Sequence, residues 1–190
     1  MVSLVRARLT PTVVALWCAS VLAIQLAGNL VAPLPNLAGA SPAVALVAPS
    51  FAAAAITAVV RAPLLDWEVL SRRRISLRAH LVGLTVLSTT AAILLAGISW
   101  HPEATISAVR NLAAYTGLGL ILGSMLGGAA SAVPVLAALA LGIVVTPASS
   151  PLLSWAVRLS DEPVLWTGPL LLLAGGALLS LTRPASTTLY

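Results

Sequence analysis

Lysine is absent: all ten basic residues of the chain are arginines. The phosphate-cradling P-loop requires a lysine, so the chain cannot bind ATP by that route. A single cysteine, Cys18, excludes an intrachain disulfide and a thiolate metal cluster. Charged residues make up only 8% of the 190, and just five are acidic. A soluble domain of this size needs far more charge to cover its surface. Gly-x-Ser-x-Gly, His-Glu-x-x-His and Cys-x-x-Cys are all missing, which removes the common signatures of hydrolases, zinc proteases and dithiol oxidoreductases.

What the chain does have is apolar sequence. Hydrophobic residues account for 59%, and the mean hydropathy is +1.05. A helix needs about 20 mostly apolar residues to cross a bilayer. Runs of that kind are expected at 10–31, 42–60, 77–99, 103–127, 131–146 and 163–181. The predicted fold is therefore all-α, a single transmembrane domain of six helices over residues 1–190, with no room for a separate soluble domain. Arg6 and Arg8 precede the first apolar run as in a signal peptide. However, the run continues to Val31 without a small-x-small cleavage site, so it reads as an uncleaved span. Pro49 is expected to kink the second span.

The arginines set an orientation. With the N-terminus inside, Arg6, Arg8, Arg61, Arg72, Arg73, Arg74, Arg78 and Arg183 fall on the cytoplasmic side, against Arg110 and Arg158 outside. The net charge of +5 is thus explained by topology rather than by a nucleic-acid partner. Trp100, Trp155 and Trp166 are expected in an outer aromatic belt, and both termini in the cytoplasm. The expected location is a cell membrane, multi-pass. An Ala, Leu, Arg and Pro bias without lysine points to a GC-rich bacterium and its cytoplasmic membrane. His80 and His101 are placed on opposite faces, where they cannot share a metal. No Asp or Glu lies in the middle of a predicted span, so paired intramembrane carboxylates are absent and no catalytic residue is assigned.

Three stretches carry the candidate functional residues. In the first, Pro63 begins a short helix with Leu64, Leu65, Trp67, Val69 and Leu70 on apolar positions and Asp66 and Glu68 toward water. Arg72, Arg73, Arg74 and Arg78 follow. This describes an amphipathic helix on the inner face. A basic tether would serve orientation alone, whereas an acidic-aromatic helix suits docking into a cytoplasmic partner. In the second, Gln25 and Asn29 are spaced i, i+4 on the first span, where they either line a substrate path or make interhelical hydrogen bonds. In the third, Gly119, Gly123 and Gly127 form a tandem Gly-x-x-x-Gly on the fourth span, a face for close helix packing. A further short outer helix is expected over 151–160, before the sixth span.

The layout around 64–70, the turn at Gly127-Gly128 and the segment 151–160 resembles permease subunits of the type-two ABC exporter family, in a short actinobacterial-like version. The string Asp66-Trp67-Glu68-Val69-Leu70-Ser71 followed by Arg78-Ala79-His80-Leu81 looks like that family's acidic-then-basic loop. The resemblance implies a permease that is not itself an enzyme. It would pair with a separate ATP-binding-cassette ATPase holding the ATP and Mg, and form a homodimer or a heterodimer with a second permease. Leu64, Leu65, Asp66, Trp67, Glu68 and Leu70 would then contact the ATPase. Two alternatives stand beside it: the substrate-binding membrane subunit of a vitamin importer, and a non-transporting scaffold or immunity protein.

Overall fold

The structure, a computed structural model, describes residues 11–30, 42–61, 83–94, 102–145, 151–159 and 162–182. Every regular element among them is helical: α1 (Pro11–Ala27), α2 (Val44–Val47), α3 (Pro49–Arg61), α4 (Gly83–Leu94), α5 (Pro102–Leu126), α6 (Val133–Val144), α7 (Pro151–Ser154) and α8 (Thr167–Thr182). Short 3-10 stretches at Gly127–Ala132 and Pro163–Trp166 lead into α6 and α8. Proline opens α1, α3, α5 and α7, where its missing N–H would have been unsatisfied in any case.

Each expected span contains a helix, but the lengths differ from those expected. Among the described residues, Pro102–Gly123 and Pro163–Thr182 are long and apolar enough to cross a membrane; Pro11–Ala27, Val44–Val60, Gly83–Leu94 and Val133–Val144 are apolar but shorter. The first helix stops at Ala27 instead of reaching Val31. A side chain at Gly28 would run into the Ile24 carbonyl, and the chain turns there, with Leu30 N–H donating to Ala27 O at 2.9 Å. Ala45 N–H then donates to Gly28 O at 3.0 Å, tying the end of α1 to the start of α2. The expected two-residue turn at Gly127-Gly128 is instead the start of a six-residue 3-10 stretch. The outer helix expected over 151–160 is a single turn, Pro151–Ser154.

Paired residues give the helix directions. Along α1 and α4, Trp17 meets Thr90 and Gln25 meets Ile93, so these helices run parallel. Along α2–α3 and α5, Leu46 meets Asn111 and Thr57 meets Gly119, so these too run parallel. Ser20 meets Ala48 while Gly28 meets Ala45, so α1 runs against α2–α3. Direction therefore reverses from one helical segment to the next from α1 to α5.

The bundle is close-packed through small residues. A Cβ at Gly117 would run into the backbone of Leu172 and Leu173, and one at Gly176 into the backbone of Gly117. At that crossing α5 and α8 touch backbone to backbone, which only glycine allows. The core is rich in alanine, including Ala45, Ala48, Ala52, Ala53, Ala104, Ala108 and Ala114. Polar side chains lie inside and large apolar ones outside at several positions. Ser20, Thr57, Thr90, Ser107, Arg110, Asn111 and Thr116 are buried, while Leu26, Met125, Val144, Leu171 and Leu178 are exposed.

Candidate functional site

Pro49 organises the polar centre of the bundle. It has no N–H to return to Ala45, and its ring crowds the preceding turn, so the second helical segment breaks into α2 and α3. The expected kink is present as this break. Buried carbonyls at such a break need donors from elsewhere. Ser20 Oγ on α1 donates to Ala48 O at 2.7 Å. From α5, Asn111 Nδ2 donates to Leu46 O at 3.0 Å and the Tyr115 hydroxyl donates to the same oxygen at 3.1 Å.

One turn of α5 thus serves two elements. Arg110, fully buried, projects from the same turn toward α7. Its Nη2 donates at 2.7 Å to both Trp155 O and Arg158 O, and its Nε lies 3.4 Å from Asn111 Oδ1. The guanidinium therefore holds the end of the short helix that precedes α8. Trp155 lies edge-on to Tyr115, with ring centroids 5.7 Å apart. Farther out, Arg158 pairs with Glu162 at 3.2 Å on a half-exposed surface, where such a pair contributes little.

This arrangement corrects one expectation. Arg110 lies within the fourth predicted span, buried about 12 Å along α5 from Pro102. Trp155 does not belong to an outer belt, since it is only 2% exposed and packs in the core. Trp166 is half-buried, and Trp100 lies outside the described residues. Sequence reasoning missed Arg110, Asn111 and Tyr115 as a group. The available signal was three hydrogen-bonding side chains within two turns of an apolar helix, an expensive placement that always asks for partners.

The residues singled out from sequence are scattered. Leu64, Leu65, Asp66, Trp67, Glu68 and Leu70 lie outside the described residues. Gln25 donates its Nε2 to Ile93 O at 3.0 Å, an interhelical hydrogen bond between α1 and α4. Asn29 is exposed in the turn beyond α1, so it does not share a helix face with Gln25; the helix has already ended. Gly119 faces Thr57 on α3 and Pro134 on α6, Gly123 is buried, and Gly127 starts the 3-10 stretch. The glycine contact with α8 is made by Gly117, which the tandem spacing does not include. Among the described residues no group of His, Cys, Asp and Glu is arranged to hold a metal.

Asn111 and Tyr115 share one acceptor, and that makes their loss cooperative. Asn111→Ala or Tyr115→Phe alone leaves Leu46 O with one donor and is expected to cost about 1 kcal/mol. The double variant strips both donors and is expected to cost about 1 kcal/mol more than the sum of the two. Thermal unfolding of the four proteins in one detergent measures this, and strict additivity contradicts it.

Compared with known proteins, the chain matches no family model, no curated protein and no solved structure.

Proposed function

We propose that the chain is a multi-pass membrane protein of six crossings that serves as the permease subunit of an ATP-driven exporter, with hydrolysis supplied by a separate ATPase. The membrane part of this reading is supported by two helices able to span, by the reversal of direction from α1 through α5, and by large apolar side chains on the exterior. The arginine asymmetry favours a cytoplasmic side for residues 62–82.

One observation carries the permease reading. A side chain at Gly83 would meet Val60, so the end of α3 and the start of α4, the two elements that flank 62–82 in the chain, lie together. That end lies away from Leu46 and Arg110. A push on Asp66, Trp67 and Glu68 would therefore reach α3 and α4 at once. From there it passes to α5, because Thr57 sits against Gly119 with no gap between helices. A stiff, alanine-rich contact transmits displacement rather than absorbing it.

The test is purification of the tagged full-length chain from its own membrane in mild detergent. An ATPase subunit is expected to co-purify, and Glu68→Arg combined with Trp67→Ala is expected to reduce the retained ATPase at least tenfold. Retention equal to that of the unaltered chain would remove the coupling role.

A further inference from the structure

Ser50, the residue after Pro49, is fully buried, and its Oγ has no hydrogen-bond partner. A buried hydroxyl without a partner costs free energy, and a helical serine or threonine can turn back to the carbonyl four residues earlier. Thr57 does so to Ala53 O at 2.8 Å, Thr90 to Val86 O at 2.6 Å and Thr182 to Leu178 O at 3.1 Å. For Ser50 the corresponding carbonyl is that of Leu46. The backbone between them stays close to helical, since Ala48 has φ −55° and ψ −34° and donates its N–H to Val44 O at 2.8 Å. Ser50 nevertheless does not make this bond.

The acceptor is already taken. A carbonyl oxygen offers two lone pairs, and at Leu46 O they meet Asn111 Nδ2 at 3.0 Å and the Tyr115 hydroxyl at 3.1 Å. Both donors come from α5. The Tyr115 bond is long for a hydroxyl donor, whose bonds centre near ~2.8 Å. Ser50 is thus kept from the acceptor on its own turn by two side chains of another helix, one of them loosely held.

We infer that Ser50 is the reserve donor to Leu46 O: when α5 withdraws Asn111 or Tyr115, the Ser50 hydroxyl turns about its Cα–Cβ bond and takes the freed lone pair. One oxygen then has two alternative sets of donors. One set joins α2 to α5, and the other closes the break at Pro49 from within its own segment. Parting α5 from α2 therefore does not leave the acceptor bare, and it gives the buried hydroxyl a partner at the same moment. One hydroxyl replaces only one of the two donors, so losing both still costs more than the sum of the single losses. As a step in transport this rests on the permease reading, the displacement arriving from the Thr57–Gly119 contact about 12 Å along α5 from Asn111. As a property of the bundle it needs no ATPase.

The experiment is thermal unfolding of the full-length chain in one detergent, for the unaltered protein, Ser50→Ala, Tyr115→Phe and the pair. Ser50→Ala alone is expected to leave the melting temperature unchanged or slightly higher, because the hydroxyl it removes has no partner. Tyr115→Phe is expected to lower it by roughly 2–4 °C in the unaltered chain and by roughly twice as much in Ser50→Ala, where no hydroxyl remains to take the freed lone pair. Asn111→Ala provides a second cycle of the same sign. Ser20→Ala is the control: it frees Ala48 O, which lies outside the reach of a hydroxyl turned back from Ser50, so its shift is expected to be the same in both backgrounds. Tyr115→Phe and Asn111→Ala shifts that ignore the Ser50 hydroxyl, a Ser20→Ala shift that depends on it equally, or a marked fall with Ser50→Ala alone would each overturn the inference. A missing ATPase partner would leave these melting curves unchanged, so the two failures are distinct.

Discussion

Arg110→Leu is expected to lower the melting temperature of the purified chain by roughly 6–12 °C, from a loss of about 3 kcal/mol. The guanidinium makes two 2.7 Å bonds to main-chain oxygens at Trp155 and Arg158. Bonds from a charged donor are worth about 1.5–3 kcal/mol each, and leucine removes both. Part of that is returned, because leucine does not have to be desolvated as a charge does. The balance is still a loss, since the carbonyls of Trp155 and Arg158 both lose their charged donor. Arg110→Lys is expected to fall between the two, because an ammonium cannot present the planar fork that reaches both oxygens. Trp155 fluorescence is a suitable probe, since that ring packs on Tyr115 beside the same contact. A leucine variant that melts at or above the lysine variant would contradict the assignment.

The α5–α8 crossing supplies the second large effect. Gly117→Val places a branched side chain where the backbone of Leu172 and Leu173 already runs, and no rotamer avoids it, because the added Cβ is itself in the way. Overpacking of this kind costs about 1–3 kcal/mol where side chains can give, and main chain gives less. A loss of about 3 kcal/mol or more is expected, read as a fall in melting temperature of at least roughly 6 °C. Gly176→Val should behave alike, and the double variant should cost less than the sum, since both insert into one contact. Gly175 is the control: nothing lies within 4 Å of a Cβ there, so Gly175→Ala is expected to be neutral or slightly stabilising. Equal effects at Gly175 and Gly176 would mean the crossing is not close.

Helix positions were legible because apolar runs and proline punctuation act locally. Pro49 and Pro102 mark helix boundaries by the same missing N–H that makes proline visible in a sequence. Which way a residue faces is not local. Arg110 sits in a stretch that can be read either as interface or as interior, and only the arrival of Trp155 and Arg158 from some 45 residues on decides it. Trp155 shows the same ambiguity: an indole suits a membrane interface or a core equally by type. The glycine spacing on α5 pointed to a packing face, yet Gly117, two positions earlier than Gly119, is the residue that meets α8. Spacing tells which residues share a face but not which face a partner takes. Gln25 was legible only as a choice between two uses, and the structure gives it an interhelical bond.

The break at Pro49 also bears on how the chain is made. Leu46 O receives its donors from Asn111 and Tyr115, so synthesis exposes the acceptor long before either donor leaves the ribosome. Until then Leu46 O is without those two donors. Completion of α5 supplies both at once, so the break and its partners are joined only after more than half of the chain has been made.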